Sequence, residues 1–174
     1  MKSVLAAVLF TSLSFAAAAH AESPADLNDL QIAHAAYTAD VIDIRYAHLA
    51  LALSTNETVR TFARTMISDH EAVNDKAGAL LAKLGATPED NFLSRALTEG
   101  AEAKINELAA LRGADFDRAY AANELAYHQA VNGIVNEAFI PNIENAEVKA
   151  LFAEASVIFK MHEHHAEMMV EAVK

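Results

Sequence analysis

The chain has 174 residues, with 13 Lys+Arg against 24 Asp+Glu and neither Cys nor Trp. The missing Cys excludes disulfides, Cys-zinc sites, iron–sulfur clusters, thiol nucleophiles and a cysteine-linked lipid anchor; the net charge of −11 argues against a nucleic-acid partner, which needs clustered Lys and Arg. Three Pro and five Gly against 39 Ala point to a few long helices around one core.

Residues 1–21 read as a secretory signal, with Lys2 ahead of an apolar stretch from Val4 to Phe15 and an A-x-A exit at Ala19-His20-Ala21. Cleavage there starts the mature chain at Glu22 and sends residues 22–174, a single domain, to the periplasm. No later stretch is apolar for long enough to span a bilayer, so no stable membrane span is expected.

Ser23-Pro24-Ala25-Asp26 reads as a helix start, with Ser23 as cap and Asp26 closing a capping box. The spacing of Leu27, Leu30, His34, Tyr37, Val41, Ile44, His48 and Leu51 predicts one helix face that ends near Ser54. Asn56 caps a second helix with a stripe of Val59, Phe62, Met66, His70, Val73, Ala77, Leu80 and Leu84, and Gly85 stops it. Thr87-Pro88-Glu89-Asp90 is a turn and helix start, residues 92–111 form a shorter helix, and Gly113 ends it. A third long helix runs from Ala114 to Phe139 with Phe116, Tyr120, Tyr127, Val131, Ile134 and Ala138 on its apolar side. Asn132-Gly133 is a weak point in it, and Pro141-Asn142 breaks the chain. Asn145 caps the last helix, striped by Val148, Phe152, Ala155, Phe159, His162, Ala166, Met169 and Val173. Four long amphipathic helices, with a shorter one in the second connection, predict an all-α four-helix bundle.

Six histidines fall on or beside the apolar stripes: His34, His48, His70, His128, His162 and His165. Only His164 points clearly outward. Buried imidazoles are costly without partners, and a shared metal ion satisfies several together. At about 1.5 Å rise per residue, His70 lies level with Asp40 on the first helix, with Tyr37 within one turn. His128 lies level with Ile158, so His162 is roughly 7 Å and His165 roughly 11 Å beyond it. A site of His70, His128 and His162, with His165 harder to include, follows. Glu124 lies one turn before His128. Met66 lies one turn before His70, and Met161, Met168 and Met169 surround the Met161-His162-Glu163-His164-His165 tract. Imidazole with thioether suits copper, and imidazole alone suits zinc or copper. Haem between helices is a weaker fit, and a core that takes no cofactor is the plain alternative. No His has Glu three residues before it, which argues against a carboxylate-bridged di-iron enzyme. No Gly-x-Ser-x-Gly, phosphate-cradling loop or Ser-x-x-Lys is present, so no catalytic residue is assigned. The partners left open are a metal ion or small ligand and a second copy of the chain.

The segment Val59–His70, with Phe62-Ala63-x-x-Met66-x-x-Asp69-His70, resembles a pattern in the family called domain of unknown function 4142. So do Gly113-Ala114-Asp115-Phe116-Asp117-Arg118-Ala119-Tyr120 followed by His128, and His165 before Ala166-Glu167-Met168-Met169. The resemblance spans about Asp26 to Val173. It implies a ferritin-like bundle in exported bacterial proteins, assigns no activity, and carries over Asp69-His70, His128 and His165. Asp69 is then expected to orient His70. Helix 1 departs from the family, with Asp43-Ile44-Arg45 in place of Glu-Val-Glu, which weakens the expectation of a carboxylate ligand there. The extra His162 and His164 favour metal affinity. Two alternatives stand beside a metal-binding bundle: a cofactor-free structural or stress-related bundle, and a ferritin-like redox enzyme.

Overall fold

The Ser23 capping box forms, with Ser23 Oγ accepting from the Ala25 N–H and the Asp26 carboxylate accepting from the Ser23 N–H, but it closes only a single 3-10 turn, Pro24–Asp26. The chain then extends at Leu27, and the long helix begins at Asp29. Asn28 caps it better, accepting from two N–H groups while Gln31 accepts from its own. Leu27, just before this cap, and Ile32, four residues after it, are buried in the same apolar cluster and fix the entry of the chain. The computed structural model describes residues 22–174; the secretory signal expected at residues 1–21 lies outside the described residues.

Five helices of more than one turn carry the described residues, and no strand occurs among them. They are α1 (Asp29–Leu53), α2 (Glu57–Leu84), α3 (Phe92–Ala109), α4 (Gly113–Ile134) and α5 (Ala146–Ala172). Caps fall at Asn56, Asn91 and Asn145, and Gly85 takes the left-handed conformation, φ 62°, that stops α2. Asn91 starts α3 in place of the expected Thr87-Pro88-Glu89-Asp90, because it is buried and its side-chain amide also donates to Gln31 O of α1. Gly113 has φ 55° at the start of α4 and does not belong to α3.

Asn132-Gly133 does not interrupt α4. The helix runs through both residues and widens only at Val135–Phe139, a π turn in which the Ile140 N–H reaches back five residues to Val135 O. One further turn, Ile140–Asn142, carries Pro141 before the chain breaks at Ile143. The widening lets the backbone pass a proline whose ring would clash with the carbonyl four residues back in an unbroken helix.

α1 packs on α2 and α4, and α5 packs on the same two helices, so the four long helices enclose a common interior; α3 lies along α1. This overturns the predicted α1 stripe. The buried α1 residues are Ile32, Ala35, Ala39, Asp40, Ile42, Asp43, Tyr46, Ala47 and Ala50, whereas Tyr37 and His48 are exposed. A helix with neighbours on three sides is apolar nearly all round, so periodicity does not fix its phase. On α2 the predicted stripe is the buried one from Val59 to Val73. No helix among the described residues is long and apolar enough to cross a membrane.

Val73, Ala155 and Phe159 form a small apolar cluster, and two larger apolar cores are stacked end to end. One holds Tyr46, Phe62, Phe116, Tyr120 and Met169; the other holds Ile32, Val135, Phe139 and Val148. Along each long helix the chain passes from one core to the other through a buried polar residue: Asp40 and Asp43 on α1, His70 on α2, Glu124 and His128 on α4, His162 on α5. These residues form a polar layer between the two cores.

Candidate metal centre

Helical periodicity puts Asp40 and Asp43, three residues apart, on one face of α1, and α2 brings His70 against them. His70 Nδ1 donates to Asp40 Oδ1 at 2.8 Å. Its Nε2 lies 2.6 Å from Asp43 Oδ2, close but without hydrogen-bond alignment. Burial alone pushes an imidazole toward its neutral form. Here the Asp43 charge and the Asp40 hydrogen bond overcome it, and His70 is pushed up to about 10. Burial would also raise Asp43, but His70 and His128 outweigh it and hold the carboxylate well below its usual range. For Asp40 burial wins over the bond to His70, and its carboxyl is raised.

His128 Nδ1 lies 2.9 Å from the backbone carbonyl of Glu124, four residues back. A carbonyl only accepts, so Nδ1 carries the proton, and in the neutral ring Nε2 presents a bare lone pair. Nε2 lies 3.4 Å from Asp43 Oδ2 and makes no hydrogen bond to it. His162 is held the same way from outside: its Nε2 lies 2.9 Å from Asp69 Oδ2, and its Nδ1 is buried with no partner. Burial pulls His162 down to about 4, and the pull of the partly exposed Asp69 in the other direction is too weak to restore it. Glu124 is fully buried; burial, then the Asp43 charge, raises its carboxyl well above the usual range.

Each of the three rings is therefore anchored through one nitrogen, to Asp40, to the Glu124 carbonyl or to Asp69. Each leaves the other without a hydrogen-bond partner among the described residues: His70 Nε2, His128 Nε2 and His162 Nδ1. Both oxygens of Asp43 and Glu124 Oε2 are unpartnered as well. An unpaired buried polar atom costs about 1–3 kcal/mol; of the six, His70 Nε2 and Asp43 Oδ2 offset each other as charges at 2.6 Å, and the other four have no such compensation. Ligand atoms of His70, His128 and His162 all lie within 4.8 Å of one another, and so do those of Asp43, Glu124 and His128. Donors at about 2.0–2.2 Å from a tetrahedral ion stand about 3.3–3.6 Å apart, so an ion would draw in any pair that starts near the 4.8 Å limit. The second-atom anchoring of each imidazole is the arrangement that orients metal-bound histidines. Phe159 stacks on His70, with centroids 5.0 Å apart, and Phe62 and Tyr127 meet His128 edge-on, so the layer has apolar walls.

Of the residues expected from sequence, His70, His128, His162 and Glu124 come together in this layer. His165 does not; it is exposed on α5. Neither do His34, half-buried, nor His48, exposed. Asp69 anchors His162 rather than His70, because consecutive helical residues point about 100° apart and face different neighbours. Tyr37 is 53% exposed and Met66 lies in the apolar core, while Met161 and Met168 face solvent. The donor set is thus imidazole and carboxylate. The main omission was the α1 carboxylates. Asp43, discounted for its departure from the family pattern, is fully buried between His70 and His128. Asp40 and Asp43 stand three residues apart among the small and apolar residues Ala35, Ala39, Ile42 and Ala47 of α1, and that was the available signal.

The family model described as "Domain of unknown function (DUF4142)" matches residues 14–169, and the chain belongs to that family. No match was found among curated proteins or among solved structures.

Proposed function

We propose that this DUF4142 member is an exported, periplasmic, ferritin-like four-helix bundle that binds a transition metal ion, copper or zinc, through His70, His128 and His162. One observation carries the reading: three buried imidazoles from three helices, each anchored through one nitrogen and with the other making no hydrogen bond, bring ligand atoms within 4.8 Å of one another. The buried Asp43 carboxylate, 2.6 Å from His70 Nε2, supplies a fourth donor from the fourth helix. Imidazole with one carboxylate suits zinc or copper(II), and the exposure of Met161 and Met168 argues against a thioether copper(I) site. Three rings and a carboxylate that meet at a point suit an ion better than the flat slot a haem needs. The bundle reading is supported by the mutual packing of α1, α2, α4 and α5 and by the shorter α3 in the second connection.

In this reading Asp40, the Glu124 carbonyl and Asp69 orient the three rings. The metal-free layer holds its positive charge as a proton on His70, and an entering cation takes that proton's place, so binding releases protons and weakens in acid.

Metal analysis of protein purified without a His tag tests the proposal. It predicts about one copper or zinc per chain, lost in a His70→Ala/His128→Ala variant. At a metal concentration 100 times Kd, stabilisation of about 2.7 kcal/mol follows, or roughly 5–10 °C in Tm for a chain of this size. Absence of stoichiometric metal and of any thermal gain would leave the cofactor-free bundle. Retention of the metal by the double variant would move the site to the Met161–His165 tract.

The group formed by Asp43, Glu124 and His128 favours a second reading, a two-ion centre of a ferritin-like redox enzyme. Two ions per chain together with an iron-dependent oxidase activity would support it.

A further inference from the structure

On one side of the polar layer the helices leave a cavity of about 510 Å³, within the range of small-molecule sites. It lies between α1, α2, α4 and α5, and its walls are apolar, including Val135 and Phe139 of the π turn. Asp40 and Phe159 also line it, and these residues touch His70: one accepts its Nδ1–H, the other stacks on its ring. Tyr37 and Leu84 line it too, and both are among the few large apolar side chains that are exposed, which marks a mouth.

The polar groups restrict the occupant. No Lys or Arg lines the cavity, whereas two carboxylates do. Asp29 is already engaged, since its two oxygens accept from the Glu144 and Asn145 N–H groups. Asp40 spends Oδ1 on His70, and its Oδ2 has no hydrogen-bond partner among the described residues. An anionic head finds no cation here, only two carboxylates beside the neutral Asn74 and Asn145 amides and the Tyr37 hydroxyl. A head that donates a hydrogen bond finds an acceptor beside His70.

We propose that this cavity binds an apolar molecule with a single hydrogen-bond-donating head, a hydroxyl or an amine and not a carboxylate, with its chain along the π-turn wall and its head at Asp40. Water in an apolar chamber is readily displaced by such a ligand. The site does not depend on the metal reading, and chelator-treated protein tests it separately.

Titration calorimetry of the full chain with decanol below its solubility limit, and with decylamine and decanoate below their micelle concentrations, reads the discrimination. Decanol and decylamine are expected to saturate at one per chain, with decanoate at least tenfold weaker. The ring-proton NMR signals of His70 move on saturation, and those of exposed His164 stay. Ala77→Leu, which puts bulk on the cavity wall, is expected to lower decanol affinity at least tenfold with an unchanged helical spectrum; Ala36→Leu serves the same purpose if the first variant folds poorly. Equal binding of decanoate, absence of saturable binding by both donors, or affinity unchanged in a folded filling variant would overturn the proposal.

Discussion

His70 and His162 are neighbours, with ring centroids 5.2 Å apart, yet their surroundings drive them in opposite directions. Both are buried, and burial pushes each toward the neutral form. His70 faces two carboxylates buried with it and is raised to about 10. His162 has one carboxylate, Asp69, whose side chain is 38% exposed, and it falls to about 4. Two things differ: His70 has two carboxylates removed from water, which act at low dielectric, whereas His162 has one, screened by water, and is also repelled by the His70 charge. One side of the layer is charged and the other is neutral with a free lone pair. A cation binding between them displaces a proton from the first and needs none removed from the second.

The largest expected effect comes from breaking the charged side. Asp43→Asn in metal-free protein leaves the His70 imidazolium short of its nearest countercharge, and a loss of about 3–5 kcal/mol is expected, read as a fall in the urea midpoint. Glu124→Gln is the matched control. Burial raises the Glu124 carboxyl and favours its neutral form, which an amide resembles, so a change under about 1 kcal/mol is expected in the same assay. Equal losses in the two variants would contradict the charge assignment.

The neutral side is expected to respond to acid. The folded-state value of His162 lies below its ordinary 6.5, so its contribution is complete above pH 6.5 and is lost as pH falls toward 4. A shift of this size corresponds to about 3 kcal/mol at most. His70 has the opposite sign: its contribution is complete below pH 6.5 and is lost as pH rises through about 10. Chemical denaturation of metal-free wild type and His162→Phe between pH 4 and 7 checks the first arm, since the variant's slope should be shallower. The smallest effect is expected outside the layer. His165→Ala, at an exposed position, should change stability by less than about 0.5 kcal/mol and leave the bound metal per chain unaltered.

The same contrast explains how much was legible in the sequence. α2 is amphipathic, so its stripe placed His70 correctly, and the level argument brought His128 and His162 to it. The same argument reached Asp40 on α1 but gave it no role. α1 has helices on three sides, and its run of small apolar residues hides which face carries Asp40 and Asp43. His48 and His165 lie just off the buried arcs of their helices, where a difference of one position turns a side chain to solvent. The π turn was not legible, because Pro141 signals a break and the accommodation occurs upstream of it.

X-ray absorption spectroscopy of the zinc- or copper-loaded, untagged chain tests the central claim most directly, because it reports the donor atoms themselves. The account predicts a first shell of three imidazoles and at least one oxygen, with no sulfur. A shell with one imidazole or none, or with sulfur scattering from methionine, would contradict it.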